Sequence, residues 1–154
     1  MTGPVRTCLW MDRDGEAAAE FYCGLIPGSG IDGRSRFDAA GPALVVEFHL
    51  AGTPYMILNG GPHFKLSPSC SISVLTEDQA ETDRLWAALT ADGGQESECG
   101  WLTDRWGLSW QITPRAVLAM TFADDPAAAE RARQAMYKMR KLDIAVMKAA
   151  FDAA

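Results

Sequence analysis

The side chains able to do chemistry here are few. Glu47 and His49 stand two residues apart in the run Leu44 to Leu50, which reads as a strand. Side chains alternate along a strand, so this carboxylate and this imidazole share one face, while Val46, Phe48 and Leu50 share the other and pack inward. In a cleft such a pair is a general base. The same alternation also describes an ordinary solvated strand face, and both readings stand. His63 is the second of only two histidines and follows the break Asn59-Gly60-Gly61-Pro62. Cys8, Cys23, Cys70 and Cys99 include no CxxC pair, so neither a zinc knuckle nor a thioredoxin-like motif can be built from neighbours. They are expected to be reduced thiols acting as buried or half-buried small apolar groups. Gly28-Ser29-Gly30-Ile31-Asp32-Gly33 matches GxGxxG, but it follows a helix and opens a strand, the reverse of a dinucleotide site. It reads as a turn. Of the five tryptophans, Trp101 and Trp106 lie near glycines, where one could line a pocket for a flat or apolar ligand.

The elements that must carry these residues repeat. Val5 to Met11 reads as a strand, and Glu16 to Ile26 as a helix with Ala18, Phe21, Tyr22 and Leu25 at helical spacing. Strands at Ile31 to Asp38, Leu44 to Leu50 and Pro54 to Leu58 complete a βαβββ plan. A second copy begins with a strand at Cys70 to Leu75. Thr76 and Gln79 have the spacing of a capping box, and Leu85, Trp86 and Leu89 form the stripe of the helix that follows. Strands near Trp101 and from Leu108 to Thr113 close it. Sliding the halves by sixty-four positions pairs Thr7 with Ser71, Asp14 with Asp78 and Tyr22 with Trp86. The closing hairpins align separately, Gly52 with Gly107, Tyr55 with Trp110 and Met56 with Gln111. The tail is expected to be helical from Asp125-Pro126, with a second helix starting at Asp143 behind a Leu142–Met147 hydrophobic staple.

A chain of 154 residues, 48% hydrophobic and 22% charged, suits one soluble domain, read as module one at about 5–60, module two at about 70–114 and C-terminal helices at about 115–154. The net charge of −6 disfavours nucleic acid and anionic membranes as partners. No run approaches the roughly 18 apolar residues of a membrane span, and nothing at Met1 to Arg6 resembles a secretion signal, so a cytoplasmic location is expected.

Several runs resemble the PhnB-like branch of the glyoxalase/bleomycin-resistance (vicinal oxygen chelate) superfamily, also catalogued as 3-demethylubiquinone-9 3-methyltransferase. They are residues 16–22, residues 59–65, Asp78-Gln79 with Asp83 and Trp86, residues 99–111 (CGWLTDRWGLSWQ), and Ala135-Met136 with Lys138-Met139. The resemblance implies an α+β fold of tandem βαβββ modules, whose curved mixed sheets surround a cleft, and a homodimer. It places four cleft positions at Thr7, Met56, Ser71 and Gln111, where metal-using relatives carry His, Glu or Gln. Of these only Gln111 is a credible ligand, so no cofactor is expected and a divalent metal is disfavoured. The expectation is a small apolar or aromatic molecule held by Thr7, Met56, Ser71, Gln111 and Trp110 without the usual metal. The alternative is a lyase, isomerase, dioxygenase or transferase, the methyltransferase of the family's name included, that uses a metal or has Glu47 and His49 as its catalytic pair.

Overall fold

The computed structural model describes residues 4–153. The chain divides into two compact units, Met1–Leu66 and Ser67–Ala154.

The first unit runs β1 (Thr7–Met11), α1 (Gly15–Leu25), β2 (Gly30–Ser35), β3 (Val45–Leu50) and β4 (Thr53–Asn59). Its four strands form an open mixed sheet in the order β1-β4-β3-β2, with β1 parallel to β4 and the other pairs antiparallel. The alternation anticipated on β3 is present: Val46, Phe48 and Leu50 are buried, as are Ala18, Ala19, Tyr22 and Leu25 of α1. Phe21 is only half-buried, because it sits on the flank of the helix. β2 stops at Ser35, short of the expected Asp38, and Arg36 leaves the ladder to donate to the Gly41 carbonyl at 2.9 Å.

No side chain of the N-cap residue Asp14 closes the start of α1. Asn59, at the end of β4, does so from across the fold: its Oδ1 accepts from Gly15 N at 2.9 Å, while its Nδ2 donates to the Ala43 carbonyl at 2.8 Å. Asn59→Ala is therefore expected to cost about 1–2 kcal/mol in urea unfolding. Asn59→Asp keeps the cap but sets a carboxylate oxygen against the Ala43 carbonyl, so it should recover only part of that loss. Equal losses for the two variants would exclude capping as the residue's main role.

The second unit repeats the plan: β5 (Ser71–Thr76), α2 (Gln79–Thr90), a short 3₁₀ turn, β6 (Gln95–Glu96), β7 (Trp101–Thr103) and β8 (Ser109–Pro114), in the order β5-β8-β7-β6. It continues with α3 (Arg115–Thr121), α4 (Pro126–Met136) and α5 (Ile144–Asp152). Both hairpin turns carry a glycine of left-handed conformation, Gly52 at φ 84° and Gly107 at φ 87°, as their alignment requires.

Two expectations change in detail. The capping residue of α2 is Asp78, whose side chain accepts from Glu81 N at 2.8 Å, while Glu81 accepts from Glu77 N at 2.8 Å. Thr76, buried, bonds the Thr82 hydroxyl instead, at 2.7 Å. Gln79 is thereby freed for a distant task, donating to the Leu142 carbonyl at 3.1 Å and accepting from Ile144 N at 2.9 Å. One amide side chain thus brackets the start of α5 as a neighbouring strand would. The caps and the staple of the tail are as expected, with Asp125 accepting from Ala127 N and Ala128 N, Asp143 accepting from Val146 N, and Leu142 and Met147 both fully buried.

The repeat itself slips by one residue in its first strand. Leu9 lies opposite Ile57, and Val74 opposite Ile112, so Leu9 corresponds to Val74 although Asp14 still corresponds to Asp78. The connection from strand to helix is one residue shorter in the second unit, and Thr7 is not the counterpart of Ser71.

Candidate functional site

The slip decides which side chains share a face. In the first unit Thr7 lies beside Tyr55, on the face of Leu9 and Ile57 that packs toward α1. Met56 belongs to the opposite, open face, in a row with Cys8 and Glu47. Thr7 and Met56, expected to line one site, therefore stand on opposite sides of the sheet. Glu47 is ion-paired with Arg6. His49 finds a partner the sequence did not suggest: both carboxylate oxygens of Asp32 lie 3.1 Å from its Nδ1. Asp32 reaches it because β2 bulges there. Ile31 opposes Phe48 and Gly33 opposes Glu47, leaving Asp32 as the extra residue whose side chain is re-aimed. Cys23 donates to the His49 carbonyl, and burial with the nearby Asp32 charge pushes its thiol up, so it is a poor nucleophile.

In the second unit Ser71 and Gln111 do come together, Gln111 Nε2 donating to Ser71 Oγ at 2.8 Å. Ser73 and Trp101 flank Gln111 on the two neighbouring strands. Ser109 lies on the same face, fully buried, with no partner for its hydroxyl among the described residues. Trp110 lies on the other face, 0% exposed, with its indole N–H donated to Asp104 at 2.9 Å; it is core, not lining. The reason is again alternation, which sets Trp110 beside Ile72 and Leu102.

The open face of this second sheet is roofed. Helices α3 and α4 and the segment after them wall a half-open cavity of about 440 Å³ with Trp101, Gln111 and Thr113 on the sheet side and Val117, Leu118 and Met136 among the residues opposite. Gly100 and Cys99 tie that segment down, donating from their backbone N–H groups to the Arg140 and Met139 carbonyls at 2.8 Å each. Cys99 also lines the cavity; its thiol is pushed up by burial and by Glu98, which keeps it protonated and neutral. Of the expected residues the cavity holds Gln111, and of the tryptophans singled out as possible lining it holds Trp101 and not Trp106. The four cysteines are free, Cys8 and Cys70 exposed rather than buried, Cys23 and Cys99 half-buried.

A metal of the kind used by related folds does not fit these side chains. Ser71, Gln111 and Met56 offer a hydroxyl, an amide and a thioether, and among the described residues no three His, Cys, Asp or Glu come together.

Two open βαβββ sheets of this topology define a glyoxalase/bleomycin-resistance type of protein, and solved structures agree. The PhnB protein from Bacillus cereus superposes with a TM-score of 0.66 at 28% identity, over 73% of this chain and 99% of that one. A Pseudomonas aeruginosa protein gives 0.60 at 20% identity, covering 73% and 98%. The fosfomycin resistance protein FosX from Listeria monocytogenes, crystallised with Mn(II), gives 0.53 at 13% identity, covering 73% and 92%. Within that class the chain belongs to the 3-demethylubiquinone-9 3-methyltransferase family, which it matches over residues 4–113. No curated protein matches it. The family match ends before Arg115, so all three helices beyond β8, including those that roof the Gln111 face, lie outside it. Sequence reasoning missed the roof and Asp32 for one reason. Both depend on how distant segments dock, and only the aromatic Trp101 hinted at a pocket.

Proposed function

We propose that the second unit binds a small apolar or aromatic molecule in the cavity over Gln111, without the metal of its superfamily relatives. The observation that supports this is the cavity itself. Its volume of about 440 Å³ suits a small molecule, its walls are mostly apolar, and Gln111 and Thr113 supply a few polar groups that would orient a ligand. A panel of aromatic and apolar compounds is expected to contain members that raise the melting temperature by about 5–10 °C at a hundredfold excess over Kd. Thr113→Phe, which fills the floor, should abolish the response while leaving the circular dichroism of the folded protein unchanged. A full response in that variant would move the site elsewhere, and silence across the panel would sink the reading.

A second reading is favoured by one contact. Asp32 on Nδ1 fixes the tautomer and orientation of His49 and leaves Nε2 as the basic nitrogen, the arrangement of a general base. Proton abstraction in a lyase, isomerase or transferase, or activation of an acceptor in the methyl transfer of the family's name, would use that nitrogen. For a turnover assay on any substrate found, Asp32→Asn is expected to lower kcat while His49→Gln abolishes it; unchanged rates in both would return the pair to the surface. A homodimer, implied by the resemblance, belongs to the same proposal, and a light-scattering mass of one chain is the contrary result. No helix among the described residues is long and apolar enough to cross a membrane.

A further inference from the structure

The lining of the cavity speaks to the charge of its occupant as well as to its shape, provided that the cavity is the binding site proposed above. The chain carries 20 acidic and 14 basic residues, yet none of the acidic ones lines this cavity, and Arg133 is the one charged side chain that does. The charged group in the lining is thus a cation, with Glu130 paired to it and Glu98 close to Cys99. Arg133 is held in place, with Nε and Nη2 on Glu130 Oε2 at 3.0 and 2.9 Å and Nη1 on the Thr121 carbonyl at 2.7 Å. A guanidinium has five N–H groups, so one on each terminal nitrogen is left for a ligand. Glu130 is exposed and its carboxyl is held below the usual range by hydrogen bonds from Gln134 and Arg133, so it is a standing counter-ion on the solvent side of the guanidinium. The Cys99 thiol adds no negative charge.

The uncharged groups point the same way. Gln111 donates one of its two amide N–H groups to Ser71 and keeps the other and its carbonyl oxygen, and no partner among the described residues takes the Trp101 indole N–H or the Thr113 hydroxyl. The indole N–H can only donate and the hydroxyl is able to, so both suit an oxygen-bearing ligand. Three aromatic side chains, Trp101, Phe122 and Tyr137, line the cavity, and Phe122 and Tyr137 are 80% and 56% exposed. Exposed rings at a cavity rim gain from covering a flat apolar partner.

From this combination we infer that the cavity takes an aromatic carboxylate, its ring against the aromatic lining and its anion toward Arg133. The test compares three probes of one ring system on the intact protein by calorimetry: naphthoate, neutral naphthamide and cationic naphthylmethylammonium. Naphthoate is expected to bind about tenfold more tightly than the cation, with the amide between them, as a half-exposed charge-assisted pair would give. Arg133→Met should reduce that preference to about twofold or less. Arg133→Lys keeps the charge and should keep most of it, which guards against a simple loss of the brace on Thr121. Thr113→Phe should abolish binding of all three. If the probes bind with no preference for the anion, or if the preference survives in Arg133→Met, the carboxylate assignment fails while the cavity remains a binding site. If none of the three binds, the cavity reading fails and the assignment with it.

Discussion

Replacing Asp104 by alanine is expected to remove about 3–4 kcal/mol of stability. Asp104 is 4% exposed, in the turn between β7 and β8. Its Oδ1 accepts from the backbone N–H groups of Trp106 at 2.9 Å and Leu108 at 3.1 Å, and its Oδ2 accepts from the indole of Trp110 at 2.9 Å. One carboxylate thus shapes the hairpin and anchors the largest side chain of the core beneath it. Alanine leaves two amides and an indole N–H without that acceptor in a region where water cannot replace it, and adds a small void. The cost is set by the orphaned donors more than by the lost charge. Asparagine keeps one acceptor oxygen and turns an NH₂ toward a donor, so Asp104→Asn should lose about half as much. Urea unfolding measures both, and an unchanged m-value would show that the denatured state is not the source. A loss below about 1 kcal/mol for Asp104→Ala would mean that this hairpin is shaped by something other than its carboxylate.

The second large effect belongs to Gly100→Ala, at about 2–3 kcal/mol. Gly100 has φ 83°, where an L side chain is strained, and a Cβ there would stand 2.8 Å from the Ile112 carbonyl oxygen and 2.9 Å from Leu142 Cδ1. Leu142 could turn aside, but the backbone carbonyl cannot. The residue is also a joint, its N–H on the Arg140 carbonyl and its own carbonyl accepting from Ile112 N at 2.8 Å. Strain at this point should lift the segment that carries Leu142 off the sheet, so the variant should lose its thermal response to cavity ligands along with stability. Gly107→Ala is the contrast: φ is 87° but nothing lies within 4 Å, and only the conformational cost, about 1 kcal/mol, is expected. Amide exchange at Gly100 should accelerate strongly in Gly100→Ala and stay near the native rate in Gly107→Ala. Equal effects of the two substitutions on stability would show that crowding at Gly100 contributes nothing.

What the residues determined by themselves is whatever a local pattern can carry. Tyr22 and Leu25 on α1, and Leu85, Trp86 and Leu89 on α2, are buried because helical spacing puts them on one side, and that spacing is visible in the chain. The alternation of Val46, Glu47, Phe48 and His49 assigned the two faces of β3, Gly52 and Gly107 aligned the hairpins, and Leu142 with Met147 marked the start of α5. Tertiary structure decided the rest, because each remaining fact is a relation between segments far apart in sequence. The parallel pairing of β1 with β4 set Thr7 and Met56 on opposite faces, and that of β5 with β8 set Trp110 beside Ile72 in the core. A bulge that only a neighbouring strand can define brought Asp32 to His49. The docking of α3 and α4 made a cavity of the Gln111 face, because a side chain's surroundings are fixed by whatever packs on it, and that is written nowhere in its own stretch of chain.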